Sequence, residues 1–334
     1  MLEKSRYSGL LKSALPALLG GVVAMALVPA AYAKAGYPDR AVTIVVPFST
    51  GGTGDLITRI IAQGLGEQLG QAVVVENRAG AAGMIGTDYV IKAKPDGYTL
   101  GLGGSTSLTV APYVRRDKPY DSRTDLTPVG MVAGGPFILA TSPKSKVTSL
   151  QELVSLAKSR PGELNYGSSG VGSMHHVLAE KFNQQVDIDA VHVPFKGGVE
   201  SATNLVGGNI DYLFESVSSI LPMIQDGRVK ALAVTGPERL AALPDVPTVA
   251  EETRSGFTGV SFVGIFGPKG LPAEVVSRLG DALAVTLADP VVQERIERLG
   301  SAAEYMPSEK FGQLINDEVQ VWSDVIRDAN IPLM

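Results

Sequence analysis

The sequence predicts an α/β fold of mostly parallel sheets flanked by helices and divided between two lobes. Three observations carry this. Short β-branched segments alternate along the chain with stretches whose apolar residues recur at helical spacing. At 334 residues the chain exceeds what one core usually serves. No composition break marks a linker, the turn-rich stretch 237–257 being the nearest to one. Intertwined lobes joined by strands are therefore expected.

The first segment stands apart. Lys4, Arg6 and Lys12 precede an apolar run from Leu15 through Pro29, and Ala31-Tyr32-Ala33 is a small-x-small triplet. That order is the layout of a secretory signal. The run approaches the length of a membrane span, but Pro16 and Pro29 bracket an apolar core of about a dozen residues, which suits a signal better. Residues 1–33 are read as a signal peptide cleaved after Ala33, leaving a soluble exported protein. Cysteine is absent, which excludes disulfides, thiolate metal sites, cysteine nucleophiles and a lipid-bearing cysteine. The formal net charge of −5 gives no basic footprint for nucleic acid.

After the signal, 41–48 (AVTIVVPF) reads as a buried strand, followed by a helix carrying Leu56, Ile60, Ile61 and Leu65. Strand 72–76, helix 83–93 and strand 98–101 come next, then a small-residue loop over 103–107. A second alternation opens with the apolar run 129–141, interrupted by Gly134, Gly135 and Pro136. Helix 150–159, strand 164–166 and a helix holding His175, Leu178 and Phe182 follow. Strands at 191–195, 212–214 and 230–235 alternate with helices at 200–206 and 220–225. Strand 261–267 precedes helices at 273–287, 290–299 and 308–329, the last capped by Ser308.

Glycine is abundant, 38 of 334 residues, against a usual share of about 7%. Two loops concentrate it with hydroxyls, each between a strand and a helix: Ser49-Thr50-Gly51-Gly52-Thr53-Gly54, and Gly167-Ser168-Ser169-Gly170-Val171-Gly172-Ser173. Such a loop presents free backbone N–H groups at a helix N-terminus, where the dipole favours an anion. Ligands of open α/β sheets also gather at the carboxyl ends of strands. One loop alone would be read as tight turns and close packing; two in corresponding places point to a cleft that grips an anion from both sides.

Catalytic and metal motifs fail. There is no G-x-x-x-x-G-K-[ST] and no G-x-G-x-x-G after a strand. Gly167-Ser168-Ser169-Gly170 approaches a nucleophile elbow, but Val171 stands where glycine is needed. Adjacent His175 and His176 diverge by about 100° on a helix, and with His192 they match no metal spacing. His175 is read as a polar lining of the cleft, the other two as structural. Asp55 is read as a carboxylate favouring the helix dipole, Trp322 as a packing residue. Lys196 either pairs with a carboxylate or is simply solvated.

Further residues carry a family resemblance. Tyr37-Pro38, Val45-Val46-Pro47-Phe48 with Gly51-Gly52 and Asp55, Val74 to Gly80 (VVENRAG), Lys94 to Leu100 (KPDGYTL) and Pro119-Tyr120-Asp121 resemble the Bug-type solute-binding proteins of tripartite tricarboxylate transporters. So do the 167–173 loop, His192 to Gly197 (HVPFKG), Ala231 to Thr235 (ALAVT) and Leu243 to Thr248 (LPDVPT), covering nearly all of the chain after the signal. The resemblance implies a periplasmic, type II-like "Venus flytrap". One lobe would comprise 34–135 plus 262–334, the other 136–261, with hinges near 134–136 and 261–264. It implies capture of a small organic carboxylate or dicarboxylate for a tripartite tricarboxylate-type membrane permease, without chemistry, cofactor or metal, by a monomer.

In that family the loops equivalent to Ser49 to Thr53 and to Gly167 to Ser173 hold one carboxylate, largely through backbone donors and water, and Phe48, Ser168, Ser169, Val171 and Ser173 are counted among the ligand-binding residues. The far end would meet variable residues, here near Ser105, Thr106, Ser107, Lys196 and Glu215, with His175 and Gly197 also expected to be ligand-binding. The chain departs from the family pattern at Ser49-Thr50, where prolines are common, and at Ala111 and Phe262, where asparagine and tryptophan are usual. Glu215 replaces the usual aspartate and could bond an amine or hydroxyl on the ligand. Two other readings stand beside transport: a solute-loaded sensor component for a signalling receptor, and a secreted hydrolase using Ser168 or Ser169 with His175.

Overall fold

Strand β1 (Val42–Val46) is buried at four of its five positions because it lies in mid-sheet, with parallel neighbours on both sides. The computed structural model describes residues 36–334, so the signal segment and its cleavage lie outside the described residues. Helix α1 (Thr53–Leu69) buries Ile57, Ile61 and Leu65 on one face and ends at Gly70 in the left-handed conformation. Strand β2 (Val73–Asn77), helix α2 (Met84–Ile91) and strand β3 (Thr99–Gly104) complete the first unit. A π turn over Thr106–Val110 and a 3₁₀ turn over Ala111–Val114 follow.

Strand β4 (Leu126–Thr141), 16 residues long, is the backbone of the molecule. After it come α3 (Leu150–Ser159), β5 (Asn165–Ser168), α4 (Met174–Val186), β6 (Val191–Pro194) and α5 (Gly198–Gly207). Next are β7 (Tyr212–Ser216), α6 (Val217–Gln225), β8 (Lys230–Val234) and the short α7 (Val249–Thr253). Strand β9 (Val260–Pro268) returns the chain to the first unit, and α8 (Ala273–Ala288), α9 (Pro290–Glu297), β10 (Ala302–Pro307) and α10 (Ser308–Asp328) finish it.

The strand order is β2-β1-β3-β9-β4-β7-β5-β6, with β10 and β8 each pairing β4 off this path. The ladders that bear the two glycine-rich loops, β2-β1-β3 and β7-β5-β6, are parallel as predicted. The crossing strands add antiparallel ladders: β9 pairs β3 and β4, while β4 also pairs β7, β8 and β10. The whole sheet is therefore mixed. A strand that re-enters from the other lobe has no crossover helix to restore a parallel direction.

Up to Pro136, β4 pairs β9, and from Phe137 it pairs β7. The change of partner falls at Gly134-Gly135-Pro136. Each half has its own apolar core. One gathers Ile44, Leu100 and Val132 with Ile61 of α1 and Leu283 of α8; the other gathers Tyr166, Phe182, Tyr212 and Phe214. Helix α10 belongs to both halves. Its Phe311, Ile315 and Val319 pack with Phe262 and Phe266, whereas its Trp322, Val325 and Ile326 join the core around Tyr166. Val110 and Val114 join that second core too.

Candidate functional site

The first glycine-rich loop is clasped from below by Asp55, in the first turn of α1. Gly51 N–H donates to its Oδ2 at 2.8 Å and Asn77 Nδ2 to its Oδ1 at 2.9 Å. Arg59 supplies Nε at 3.1 Å and a second nitrogen at 3.0 Å. Asn77 Nδ2 also donates to the Phe48 carbonyl at 3.1 Å, tying β2 to the loop. The Asp55 residue is 1% exposed. Burial pushes its pKa up, but the bonds from Arg59, Gly51 and Asn77 more than offset this and hold the carboxyl below its usual range. Above the clasp, Ser49, Thr50, Gly51 and Gly52 are exposed. Gly51 has φ +83°, open to glycine without strain.

The second loop joins β5 to α4. Ser173 caps α4, accepting from His176 N–H at 3.3 Å. Ser168 is turned away from the mouth: its Oγ accepts from Gly170 N–H at 3.0 Å and lies 2.6 Å from His192 Nε2. Ser169 faces the other way, its Oγ 2.7 Å from His175 Nδ1. His175 Nε2 lies 3.2 Å from Glu215 Oε1, which also accepts from Ser216 N–H and Ser216 Oγ, both at 2.9 Å. Glu215 is 2% exposed. A Cβ on Gly198 would sit 2.3 Å from its Oε2, so only glycine leaves room for this carboxylate. Burial lowers the His175 pKa, but Glu215 outweighs it and the net shift is upward; Glu215 is correspondingly lowered.

Behind this loop His176 and His192 stack, ring centroids 3.8 Å apart, with Tyr166 stacked on His192 at 5.0 Å. Burial lowers His176 to about 4; burial and then repulsion from His176 lower His192 to about 3. Unfolded, both titrate near 6.5. Between about 4 and 6.5 the unfolded chain binds more protons, so stability falls as pH drops through that window, by up to about 1.4 kcal/mol per pH unit for each proton. Urea unfolding from pH 7 to 4.5 should show this slope, shallower in His192→Gln. Superimposable slopes would acquit the stacked pair.

Between the two halves lies a cavity of about 170 Å³. Of the predicted site residues, Phe48, Thr53, Ser105, Thr106 and His175 line it. The others do not. Ser107 is buried alongside, its Oγ accepting from Gly104 N–H at 3.2 Å. Ser49 to Gly52, Ser169 and Val171 lie outside this lining, Glu215 sits behind His175, and Ser168 and Ser173 serve the loop's own structure. Lys196 is exposed, its N–H donating to Glu200 at 3.0 Å, and Gly197 is the N-cap of α5.

The sequence reading missed Ser216, Val217 and Ser218 at the start of α6, and Gly300-Ser301, all of which line the cavity. The first group follows a strand and opens a helix, like the two chosen loops, but lacks glycine to flag it. The crossing segments 134–136 and 261–263 also line it. Hydroxyls join the halves: Thr53 Oγ1 and Ser218 Oγ are 2.9 Å apart, and Met174 N–H donates to Thr106 Oγ1 at 3.4 Å. The N-termini of α1, α4 and α6 thus converge on one space, and among the described residues His175 is the only ionisable side chain lining it.

Two α/β halves joined by crossing strands, with helix N-termini facing a shared cleft, define a two-lobed binding protein of the periplasmic type. The chain belongs to the tripartite tricarboxylate transporter receptor family, whose model matches residues 57–331. Protein BugT of Bordetella pertussis is 34% identical over 318 residues, covering 95% of this chain and 98% of BugT. Rpa4515 of R. palustris, solved with adipate, is 33% identical with a TM-score of 0.80, over 88% of this chain and 99% of that one. MatC of Rhodopseudomonas palustris, solved with malate, is 32% identical with a TM-score of 0.76, over 87% of this chain and 100% of that one. Solved members of the family are periplasmic binding proteins.

Proposed function

We propose that this protein, exported and cleaved after Ala33, captures a small organic carboxylate in its inter-lobe cleft and delivers it to a tripartite-type membrane permease. The observation that carries the reading is the convergence of three helix N-termini on a cavity lined by hydroxyls and free of Lys, Arg, Asp and Glu among the described residues. Unpaired N–H groups and dipole ends hold an anion without a counter-ion. The adipate and malate of the two solved relatives are of this chemical class. One carboxylate would rest at the N-termini of α1 and α4, where the loops Ser49 to Thr53 and Gly167 to Ser173 enter those helices. The remainder would extend along Phe48, Ser105 and Thr106 toward α6.

The lobes are taken as 34–135 plus 262–334 and 136–261, with the turn over 106–114 and the end of α10 riding on the second. Capture is by hinge closure about Gly134 to Pro136 and 261–264, and the Thr53–Ser218 contact belongs to the closed form. The protein acts without chemistry. A nucleophilic serine draws its oxyanion donor from the following N–H, and Gly170 N–H is already given to Ser168.

A thermal-shift panel of mono-, di- and tricarboxylates, aromatic acids and acidic amino acids tests the reading. A bound ligand at a hundredfold excess over its Kd adds about 2.7 kcal/mol. Selective rises among carboxylates are expected. If every carboxylate leaves the melting curve in place while a sugar or metal ion raises it, the anion cleft is wrong.

A further inference from the structure

Ser169, His175 and Glu215 form an unbroken line, 2.7 Å from serine to ring and 3.2 Å from ring to carboxylate. Both ring nitrogens are engaged, so His175 has none left for a ligand. The line ends at the Ser169 hydroxyl, which is half-buried beside the cavity lining to which His175 belongs. We propose that Ser169 is a switched donor to the ligand carboxylate, turned outward when His175 is charged, so that anion and proton bind together. His175 and Glu215 are then positioning residues acting through Ser169. This rests on the carboxylate reaching the Ser168 to Ser173 loop, as the proposed function has it.

The two protonation states of the ring differ in where the serine proton points. When neutral, with Nε2–H given to Glu215, the ring leaves Nδ1 as an acceptor. Ser169 then spends its proton on the ring and shows lone pairs to the cleft, which repel an anion. When charged, the ring donates from both nitrogens. Ser169 Oγ accepts, and its own proton rotates outward as a donor polarised through the chain.

The surroundings favour the charged state. Glu215 is fixed by Ser216 N–H and Oγ and is buried with the pair. Phe137 of β4 meets the ring edge-on at 5.3 Å and brings no charge. On α4 itself the neighbouring His176 is held neutral by burial, and β7 contributes Glu215 as the ionisable group acting on His175. An approaching carboxylate is thus the next charge the pair meets, and it raises the proton affinity of His175 further.

The experiment takes the carboxylate giving the largest rise in the thermal-shift panel and measures its Kd by calorimetry from pH 6 to 10, in buffers of different ionisation enthalpy. The expected result is proton uptake on binding and a Kd that rises at least tenfold across the range. Ser169→Ala and His175→Gln should bind more weakly at pH 6 and lose most of the pH dependence. Glu215→Gln should behave the same way, whereas a merely structural loss would weaken binding equally at every pH. Flat affinity with no proton uptake, or an unchanged pH profile in Ser169→Ala, overturns the switch and leaves carboxylate capture standing. If no carboxylate binds at all, the proposed function fails and takes the switch with it.

Discussion

Asp55→Ala is expected to lower the melting temperature by roughly 6 °C and to weaken carboxylate binding at least tenfold. The substitution removes the acceptor for Gly51 N–H, Asn77 Nδ2 and Arg59 at once. Bonds to a charged partner are worth about 1.5–3 kcal/mol each. Half-exposed Arg59 rehydrates once freed, whereas Asn77 and the Gly51 amide lose a partner water replaces less well, so the net cost is about 3 kcal/mol. A chain of this length loses about 2 °C per kcal/mol. The binding loss follows from the proposed site, since without Asp55 the Gly51 turn relaxes and the loop that enters α1 loses its fixed position. Asp55→Asn, which keeps an acceptor but no charge, should fall between. Melting curves and calorimetry decide it; a variant with wild-type Tm and Kd would show that the clasp is idle.

Trp322→Ala is the second large effect, about 3–5 kcal/mol of stability. The side chain is 1% exposed, donates from Nε1 to Glu318, and lies beneath the Lys181 ammonium, 5.2 Å from the ring. Its loss opens a hole in the second core and unmoors the end of α10 from α4. Val321→Ala, one residue earlier and 39% exposed, should stay within about 0.5 kcal/mol of wild type. Urea unfolding of both variants tests this. Equal midpoints would mean that α10 is not anchored through Trp322.

The fold was legible where local chemistry and packing agree. The β-branched run at 42–46 became a strand because a mid-sheet position rewards those side chains, and the run at 73–75 pairs beside it at the sheet's edge. Strand β10, AAEYMP, was invisible: it holds no β-branched residue and exists because β4 offers it a ladder. The π turn at Thr106–Val110 hid likewise in what read as a small-residue loop. The two glycine-rich strand–loop–helix turns were legible because their parts are contiguous in sequence. Which way each side chain turns was not readable. Ser168 and Ser169 are neighbours with opposite duties, one bonded to His192 and one to His175. Thr53 and Ser218 meet across 165 positions, with no local trace of the pairing. The sequence places Glu215 near the ligand's far end, and nothing local shows that it meets a histidine 40 residues earlier. Asp55 was read as a dipole-matching carboxylate, which it is, but the loop it clasps is a tertiary fact.

The 16-residue strand β4 contributes to both apolar cores, and helix α10 packs against both halves. Neither half can therefore melt and leave the other intact, because the departing half takes with it a strand and a helix face that the survivor needs. Two lobes in shape are one unit in cooperativity. A solute touching only the few side chains between them protects the whole chain, and an occupied molecule resists proteases far from its cleft as well as near it.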